Sequence, residues 1–354
     1  MTEVTGEPQV ARWRAYAIVG TLIVALLAAL WGVLLWLGST IYSPQAFVAE
    51  YLDHVAADEI TEAVAMPGVL PGASELAALN LPANTSTALL RPKLATSLPQ
   101  DVRIVSDRVV GDGTHTISAS YRLGNDIRTA EFHVKPAAPL YGVIPRWAFA
   151  QTPLARMLVT VEHDSIFSVG DLDLDLRASK PADEYSRFSQ SAPYLAIAPA
   201  GYELRRSSEL LSAQPVPALL EPSQPFAATV TAEPTAAFVA RVQTQVGAFL
   251  DSCVKQQVLQ PTGCPFGVTI DDRVVGAPEW TIATPPPVTL VADTSSFRMP
   301  PTAAVARVTV KVQSLFDGTT RVKHEEVPFT MWLTVRVRGD GSLSIALEGE
   351  PAKD

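Results

Sequence analysis

Residues 106–117 read SDRVVGDGTHTI, and residues 271–282 read DDRVVGAPEWTI. Both stretches contain Asp-Arg-Val-Val-Gly and both end in Thr-Ile. In the first stretch a Val-rich run leads into Gly111-Asp112-Gly113, a composition typical of a tight turn between antiparallel strands. The recurrence predicts that the chain contains two related modules and that this stretch opens the sheet of each.

An amphipathic helix is predicted ahead of each sheet. The first begins at Ser43-Pro44, because Ser is a good N-cap and Pro suits the first helical position. Apolar residues then follow at helical spacing: Phe47, Val48, Tyr51, Leu52 and Val55. The second helix follows Glu233-Pro234. Its predicted apolar stripe is Phe238, Val242, Val246, Phe249 and Cys253.

These patterns predict an α+β protein with two helix-plus-antiparallel-sheet modules, cone-like in form, on either side of a small β-rich module. A transmembrane helix precedes them. The predicted order is a cytoplasmic tail (1–14), a transmembrane helix (15–37), the first module (43–151), a small β-sandwich-like module (152–222), a Pro- and Ala-rich linker (223–232) and the second module (233–350).

Residues 15–37 contain no charged side chain, and these 23 residues would form a helix about 34 Å long, enough to cross a bilayer. Arg12, Trp13 and Arg14 precede this apolar segment, and Trp36 lies near its end. These residues are predicted to flank the membrane anchor. No Lys or Arg follows until Arg91. The positive-inside rule therefore predicts a single-pass protein of the cell membrane, with a cytoplasmic N-terminus and an extracytoplasmic C-terminal region.

Two other interpretations of this segment stay open. A cleaved signal peptide has an apolar region of about 7–15 residues that ends at a small-x-small site, which Leu37-Gly38-Ser39 matches poorly. A buried helix of a soluble domain would show a polar stripe, and this run has none. The length favours a signal anchor that is retained in the mature protein.

The only two cysteines, Cys253 and Cys264, are predicted to form a disulfide. An extracytoplasmic compartment permits it, and the even count favours it. Two free buried thiols are the main alternative. A structural zinc site is a poorer one, because two Cys with no nearby His provide too few ligands.

The composition and the motifs of the chain limit the classes of function that it can have. The 354 residues carry a net charge of −9, which disfavours nucleic acid as a partner. Two motifs are interpreted as exposed charge, DLDLDL (171–176) and His324-Glu325-Glu326 beside a turn, and Asp53-His54 is interpreted as having a capping or surface role. We find no Gly-rich phosphate loop and no Gly-x-Ser-x-Gly elbow in the sequence. The sequence predicts no catalytic residue, no metal site and no cofactor.

The order of these parts resembles the teicoplanin-resistance-associated membrane proteins of Gram-positive bacteria. The resemblance rests on residues 15–37, on Ala198-Pro199-Ala200-Gly201-Tyr202 in the middle module, and on the C-terminal helix with QPTGCPFG (260–267). A helix wrapped by an antiparallel sheet is similar to the cone-shaped nuclear-transport-factor-two-like, or cystatin-like, fold. Proteins of that membrane family typically have a zinc ribbon before the membrane helix, whereas residues 1–14 contain no Cys.

Three functional hypotheses follow. The first is a non-catalytic membrane-anchored protein that contacts the lipid bilayer through residues 15–37 and binds or scaffolds an envelope protein or a cell-wall component. The second is a small-ligand-binding protein or isomerase-like enzyme that uses the interior of a cone-shaped module. It requires an acidic residue that points inward beside an open cavity. The third is a structural partner in a secretion or division complex, where small residues of the membrane helix make contacts.

Overall fold

The structure is a computed structural model that describes residues 42–140, 144–180, 188–338 and 342–351, together with 13, 16, 18–26, 28–29 and 32. It confirms an α+β protein with several antiparallel sheets. The chain divides into two compact units. Unit 1 comprises Met1–Leu158, Pro193–Glu203 and Pro217–Phe226, and unit 2 comprises Val159–Ala192, Leu204–Val216 and Ala227–Asp354.

The predicted membrane segment, 15–37, is described only in part, and Arg12, Arg14 and Trp36 lie outside the described residues. Its described residues, including 18–26, are helical. Among all described residues, no helix has both the length and the apolar character needed to cross a membrane.

After residue 42, the described part of unit 1 continues with the helices α1 (Pro44–Ala56), α2 (Ile60–Ala65) and α3 (Ala73–Ala78). The predicted start of α1 is confirmed, since the Ser43 hydroxyl accepts a hydrogen bond from the Ala46 amide at 3.1 Å and Pro44 is the first helical residue. The side chain satisfies an amide that the helix itself leaves without a partner.

The helices are followed by a four-stranded sheet in the order β1 (Gln100–Val110), β2 (Thr114–Leu123), β3 (Asp126–Leu140) and β4 (Ile144–Phe149). Each strand pairs antiparallel with the next. The hairpin predicted from residues 106–117 is confirmed: β1 and β2 are joined by a turn in which Asp112 and Gly113 adopt φ values of 62° and 74°.

The core of unit 1 lies between α1 and this sheet. The buried residues of α1 are Pro44, Val48, Tyr51, Leu52 and Val55. The Tyr51 ring meets Phe149 edge-on with ring centroids 5.2 Å apart. Its hydroxyl donates to the Ala198 carbonyl at 2.8 Å, and burial raises the pKa of this tyrosine far above its usual value. The hydrogen bond satisfies the one polar atom of a side chain that is otherwise packed among apolar groups.

The middle of the chain contributes eight strands: β5 (Ala155–Glu162), β6 (Ile166–Val169), β7 (Leu172–Asp175), β8 (Gln190–Ala196), β9 (Ala200–Ser207), β10 (Leu211–Leu220), β11 (Pro225–Thr231) and β12 (Glu233–Pro234). They form a sheet of order β12-β10-β9-β6-β7 and a sheet of order β11-β5-β8.

The predicted Pro- and Ala-rich linker, 223–232, contains strand β11. Its Pro content misled the prediction. Pro225 is the first residue of a strand at the edge of its sheet, where a missing amide N–H costs little, and Ala228 and Val230 are buried in alternation.

Unit 2 contains the long helix α4 (Ala236–Val254) and a sheet built from β13 (Arg273–Val274), β14 (Glu279–Thr284), β15 (Val291–Ala292), β16 (Phe297–Gln313), β17 (Thr320–Val337) and β18 (Leu343–Pro351). The central strands follow the order β13-β16-β17-β18, and β14 and β15 also pair with β16. The buried stripe of α4 is Phe238, Val242, Val246, Leu250 and Cys253, so Leu250 takes the place that the sequence analysis gave to Phe249.

The disulfide between Cys253 and Cys264 is present, with the two Cα atoms 5.8 Å apart. It links the end of α4 to the turn-rich segment that follows.

The motif His324-Glu325-Glu326 lies within β17 and not, as the sequence analysis predicted, beside a turn. The three side chains have partners, because His324 bonds Thr309 at 3.0 Å, Glu325 pairs with Lys323 and Glu326 pairs with Arg307.

The recurrent stretch opens a sheet in both units but is paired differently. In unit 1, Asp107 and Arg108 lie opposite Ile117 and Thr116 on the adjacent strand. In unit 2, the stretch lies on β13 and β14, and each of these strands pairs with β16 instead of with the other. The sequence recurrence therefore does not extend to the strand connections.

Gly68 allows the loop before α3 to approach β4 closely. It has φ 80°, and a Cβ added there would overlap the Phe149 carbonyl oxygen. We expect Gly68→Ala to lower the free energy of unfolding by about 2 kcal/mol or more, since both left-handed strain and overlap oppose it. Urea denaturation of the full chain in detergent micelles measures this change.

Gly111→Ala is the matched control, because no atom lies within 4 Å of the added Cβ and its φ is not positive. We expect that variant to change the free energy of unfolding by less than about 0.5 kcal/mol. Equal effects of the two substitutions would contradict this account of Gly68.

Candidate functional site

A cleft of about 490 Å³ opens in unit 2 and is lined by an apolar floor and an arginine-rich rim. The floor residues come from several elements: Phe188 precedes β8, Phe297 begins β16, and Leu210 and Leu211 lie at the start of β10. Arginines from β9, α4 and β17 line the rim. The site therefore depends on the fold of the whole unit.

Aromatic contacts build the floor. The Phe297 ring meets Phe188 edge-on at 5.1 Å and Phe238 edge-on at 5.6 Å. His163 packs against both Phe188 and Phe297, with ring centroids 5.0 and 6.0 Å apart. Its Nδ1–H donates to the Ala232 carbonyl at 3.0 Å, which fixes the ring orientation. Edge-to-face packing of this kind is favourable and holds the rings in defined positions.

Arg206 and Asp164 form an ion pair on one side of the cleft. The Arg206 side chain is 12% exposed and that of Asp164 is 16% exposed. Asp164 also accepts a hydrogen bond from the Ser165 amide at 2.7 Å. Because both charges are largely removed from water, they stabilise the fold only as a pair. The pair holds β9 to the segment between β5 and β6.

Four more arginines line the cleft: Arg177, Arg241, Arg336 and Arg338. Arg177 pairs with Asp175 at 2.6 Å. The other three are exposed and form no ion pair or side-chain hydrogen bond with any residue in the described parts of the chain. Arg336 and Arg338 are two positions apart at the end of β17, so their Cα atoms are about 7 Å apart and their side chains lie on one face.

The lining therefore carries excess positive charge. Among the described residues, the lining contains five arginines and two acidic residues, Asp164 and Glu209, and Asp164 is neutralised by Arg206. This excess stands out in a chain whose net charge is −9. Guanidinium groups bind carboxylate and phosphate oxygens in a bidentate manner, and the floor offers apolar contact beneath them. The arrangement is suited to an anion that also carries an apolar part.

A second arrangement lies in unit 1 and involves the opening stretch. His115 Nδ1 and Asp107 Oδ1 are 2.7 Å apart, and Gln45 donates to the other Asp107 oxygen at 3.2 Å. The His115 ring meets Trp147 edge-on at 5.0 Å. Among the described residues His115 has no hydrogen bond to Ser, Thr or Cys, so the third member of a nucleophilic triad is not in contact. When the two recurrent stretches are aligned, the position of His115 in unit 1 corresponds to Trp280 in unit 2. Trp280 is buried against Phe266.

Within the described parts of the chain, the motifs singled out from the sequence do not line the cleft themselves, although Asp175 of DLDLDL contacts the lining residue Arg177. In DLDLDL, Asp173 is exposed and bonds Ser168, and Asp175 pairs with Arg177. Partial burial tends to raise the pKa of Asp175, but its hydrogen bonds to Arg177 hold that pKa below its usual value. His54 bonds Glu59 at 2.8 Å. No group of three His, Cys, Asp or Glu residues with the spacing of a metal site occurs within the described ranges.

The sequence analysis missed the cleft arginines. A local signal was available for two of them, since Val335-Arg336-Val337-Arg338 alternates a buried or half-buried Val with an exposed Arg at a strand end. Arg241 and Arg206 carry no such signal, because only the tertiary fold brings them to the same cleft.

Comparison with known proteins adds no further evidence about the site. No protein-family model, no curated protein and no solved structure matches the chain. Its function must therefore be argued from its own residues.

The Asp164–Arg206 pair gives a test of the cleft geometry. We expect the variants Asp164→Ala and Arg206→Ala to be coupled by about 1–3 kcal/mol in a double-mutant cycle, since each leaves the other charge partly buried and unpaired. Urea denaturation of the wild type, both single variants and the double variant measures the coupling. Additive effects would show that the two side chains do not interact as described.

Proposed function

We propose that this chain is a single-pass membrane protein whose extracytoplasmic part binds an anionic component of the cell envelope in the arginine cleft of unit 2. The role is binding or scaffolding without catalysis. One observation carries the proposal: Arg241, Arg336 and Arg338 converge on one cleft and have no partner among the described residues.

Like charges gathered around one cavity repel each other, and an anionic ligand removes that repulsion. In a protein with 36 acidic residues, carboxylates are available to neutralise surface arginines, as Glu326 does for Arg307. The three rim arginines lack such partners in the parts of the chain that the structure describes. The spacing of Arg336 and Arg338 suits a ligand with more than one anionic group.

The apolar floor adds a second requirement. Phe188, which is half-buried and packs against the buried Phe297 ring, offers contact to a hydrocarbon or ring portion of the ligand. A small inorganic anion would leave this surface uncovered. A phosphate- or carboxylate-bearing envelope component with an apolar portion fits both the rim and the floor.

Membrane attachment is supported by the exposed apolar side chains of the described N-terminal helical residues. Ile18, Leu22 and Leu26 are 60%, 58% and 68% exposed, so the described protein does not cover them. A bilayer would remove this surface from water. The resemblance to the teicoplanin-resistance-associated membrane proteins supports the same location, and we propose a cone-like form for each helix-plus-sheet module on that basis.

The Asp107–His115 pair favours a second candidate function for unit 1. It places an acidic residue and an imidazole on one strand pair beside Trp147. A general base of this kind needs access to a bound substrate. We rank this function below binding in unit 2 because the cleft and its rim arginines support the latter.

Labelling of single cysteines in intact cells tests the topology. We expect a membrane-impermeant maleimide to label Ile127→Cys, which replaces a side chain that is 78% exposed. Thr5→Cys in the tail should react only after lysis, because the positive-inside rule places it in the cytoplasm. Labelling of Thr5→Cys in intact cells would contradict the proposed orientation.

Binding of fluorescent inorganic polyphosphate and of poly-L-glutamate to the full chain in detergent micelles tests the cleft. We expect the double variant Arg241→Gln/Arg336→Gln to weaken binding of at least one probe at least tenfold, about 1.4 kcal/mol. Fluorescence anisotropy measured at several salt concentrations gives the affinities.

The matched control is Arg298→Gln/Arg321→Gln, which removes the same charge from unit 2 outside the cleft. We expect it to change the affinity less than threefold, since exposed charges are screened by salt. Equal losses in both double variants would indicate general attraction to surface charge and would contradict the proposed site.

A further inference from the structure

Strand β3 extends past the end of the four-stranded sheet. Its last contact with β2 in this direction is between Val134 and His115. Beyond that point β3 pairs only with β4, through Ala137 with Arg146 and Leu140 with Ile144. Residues 137–140 and 144–146 therefore form a two-stranded arm that the rest of the sheet does not support.

This arm consists mainly of apolar residues, and three of them are exposed. Its residues are Ala137, Ala138, Pro139 and Leu140 on β3, and Ile144, Pro145 and Arg146 on β4. Ala138, Pro139 and Pro145 are exposed, and Arg146 is the one charged residue of the arm. An isolated two-stranded ribbon is marginally stable in water, so an exposed apolar ribbon indicates a partner surface.

The arm stands at the end of the sheet where α1 begins. Trp147, next to the arm on β4, donates from its Nε1 to the Tyr42 carbonyl at 2.8 Å. Tyr42 follows the predicted membrane helix by five residues, a span of at most about 18 Å. The lipid surface would therefore lie within reach of the arm, which is about 13 Å long.

We propose that the arm inserts into the outer leaflet of the bilayer beside the membrane anchor. This inference rests on the membrane attachment in the proposed function. Val109 and Val110, at the same end of the sheet, are 66% and 50% exposed and extend the apolar surface. Arg146 and Lys135, which are exposed at the base of the arm, are placed to contact lipid phosphates.

The prolines of the arm favour lipid over a protein strand. A partner chain that added to either edge would need backbone amides, and Pro139 and Pro145 have no N–H to donate. Because these prolines have no N–H, fewer backbone amides of the arm would lack a hydrogen-bond partner in the lipid interface. Each such unpaired amide costs free energy there. The arm is thus poorly suited to strand addition and suited to shallow insertion.

Two positions on the same strand give a matched pair for a test. Ala138 lies in the arm, and Ile127 lies eleven positions away at the other end of β3, about 36 Å distant. No free cysteine competes for the label, since Cys253 and Cys264 are joined. The full-length variants Ala138→Cys and Ile127→Cys are labelled with an environment-sensitive fluorophore. They are then reconstituted in vesicles of phosphatidylethanolamine and phosphatidylglycerol.

We expect the probe at position 138 to emit at shorter wavelength with several-fold higher intensity than the probe at position 127. Lipids that carry a nitroxide on the acyl chain should quench only the probe at 138. The variant Pro145→Cys, on the other strand of the arm, should behave like Ala138→Cys. Agreement between the two variants would show that the result is not a local effect of one substitution.

Vesicle flotation separates the possible failures. If the protein does not float with the vesicles, both the anchor and the inserted arm are wrong. If it floats and the probe at 138 remains as polar as the probe at 127, the anchor stands and the arm inference alone is wrong. A shift to shorter wavelength without quenching, accompanied by crosslinks between copies, would assign the arm to a second copy and overturn lipid insertion.

Discussion

The edge-to-face contact between Phe238 and Phe297, with ring centroids 5.6 Å apart, is the interaction on which unit 2 most depends. It joins the first turn of α4 to the start of β16, the strand with which β13, β14, β15 and β17 all pair. Phe297 also contacts Phe188 and His163, so the same ring fixes the floor of the cleft. Core packing and site geometry are therefore set by one buried cluster, and Arg241 is placed one turn farther along the same helix.

The cleft combines two kinds of surface that proteins rarely leave uncovered together. Its floor is apolar, and its rim holds guanidinium groups without partners among the described residues. The ion pair between Arg206 and Asp164 is largely buried, and Arg177, which also lines the cleft, pairs with Asp175. The exposed arginines remain available to a ligand. The cleft therefore has paired charges that belong to the fold and exposed charges that can bind a ligand. On an ordinary charged surface, by contrast, exposed ion pairs form and contribute little to stability.

Local patterns predicted much of the fold. Ser43-Pro44 gave the start of α1, and Gly111-Asp112-Gly113 gave the first hairpin, because caps and turns depend on neighbouring residues. Residues 223–232 were misinterpreted because Pro at an edge strand resembles Pro in a linker. The site itself could not be predicted, since Arg206, Arg241 and Arg336 lie far apart in sequence and meet only through pairing and helix packing. The disulfide was predictable from compartment and count alone.

The most direct test of the central claim is photo-crosslinking in intact cells from Ser295, an exposed residue of the cleft lining. A photoreactive amino acid there is compared with one at Thr319, exposed in the loop before β17 and outside the cleft. The account predicts an adduct from position 295 alone that carries phosphate or carboxylate groups and disappears when Arg336 and Arg338 are replaced by Gln. An adduct that persists in that variant, or that forms equally from position 319, would contradict an anion-binding role for the cleft.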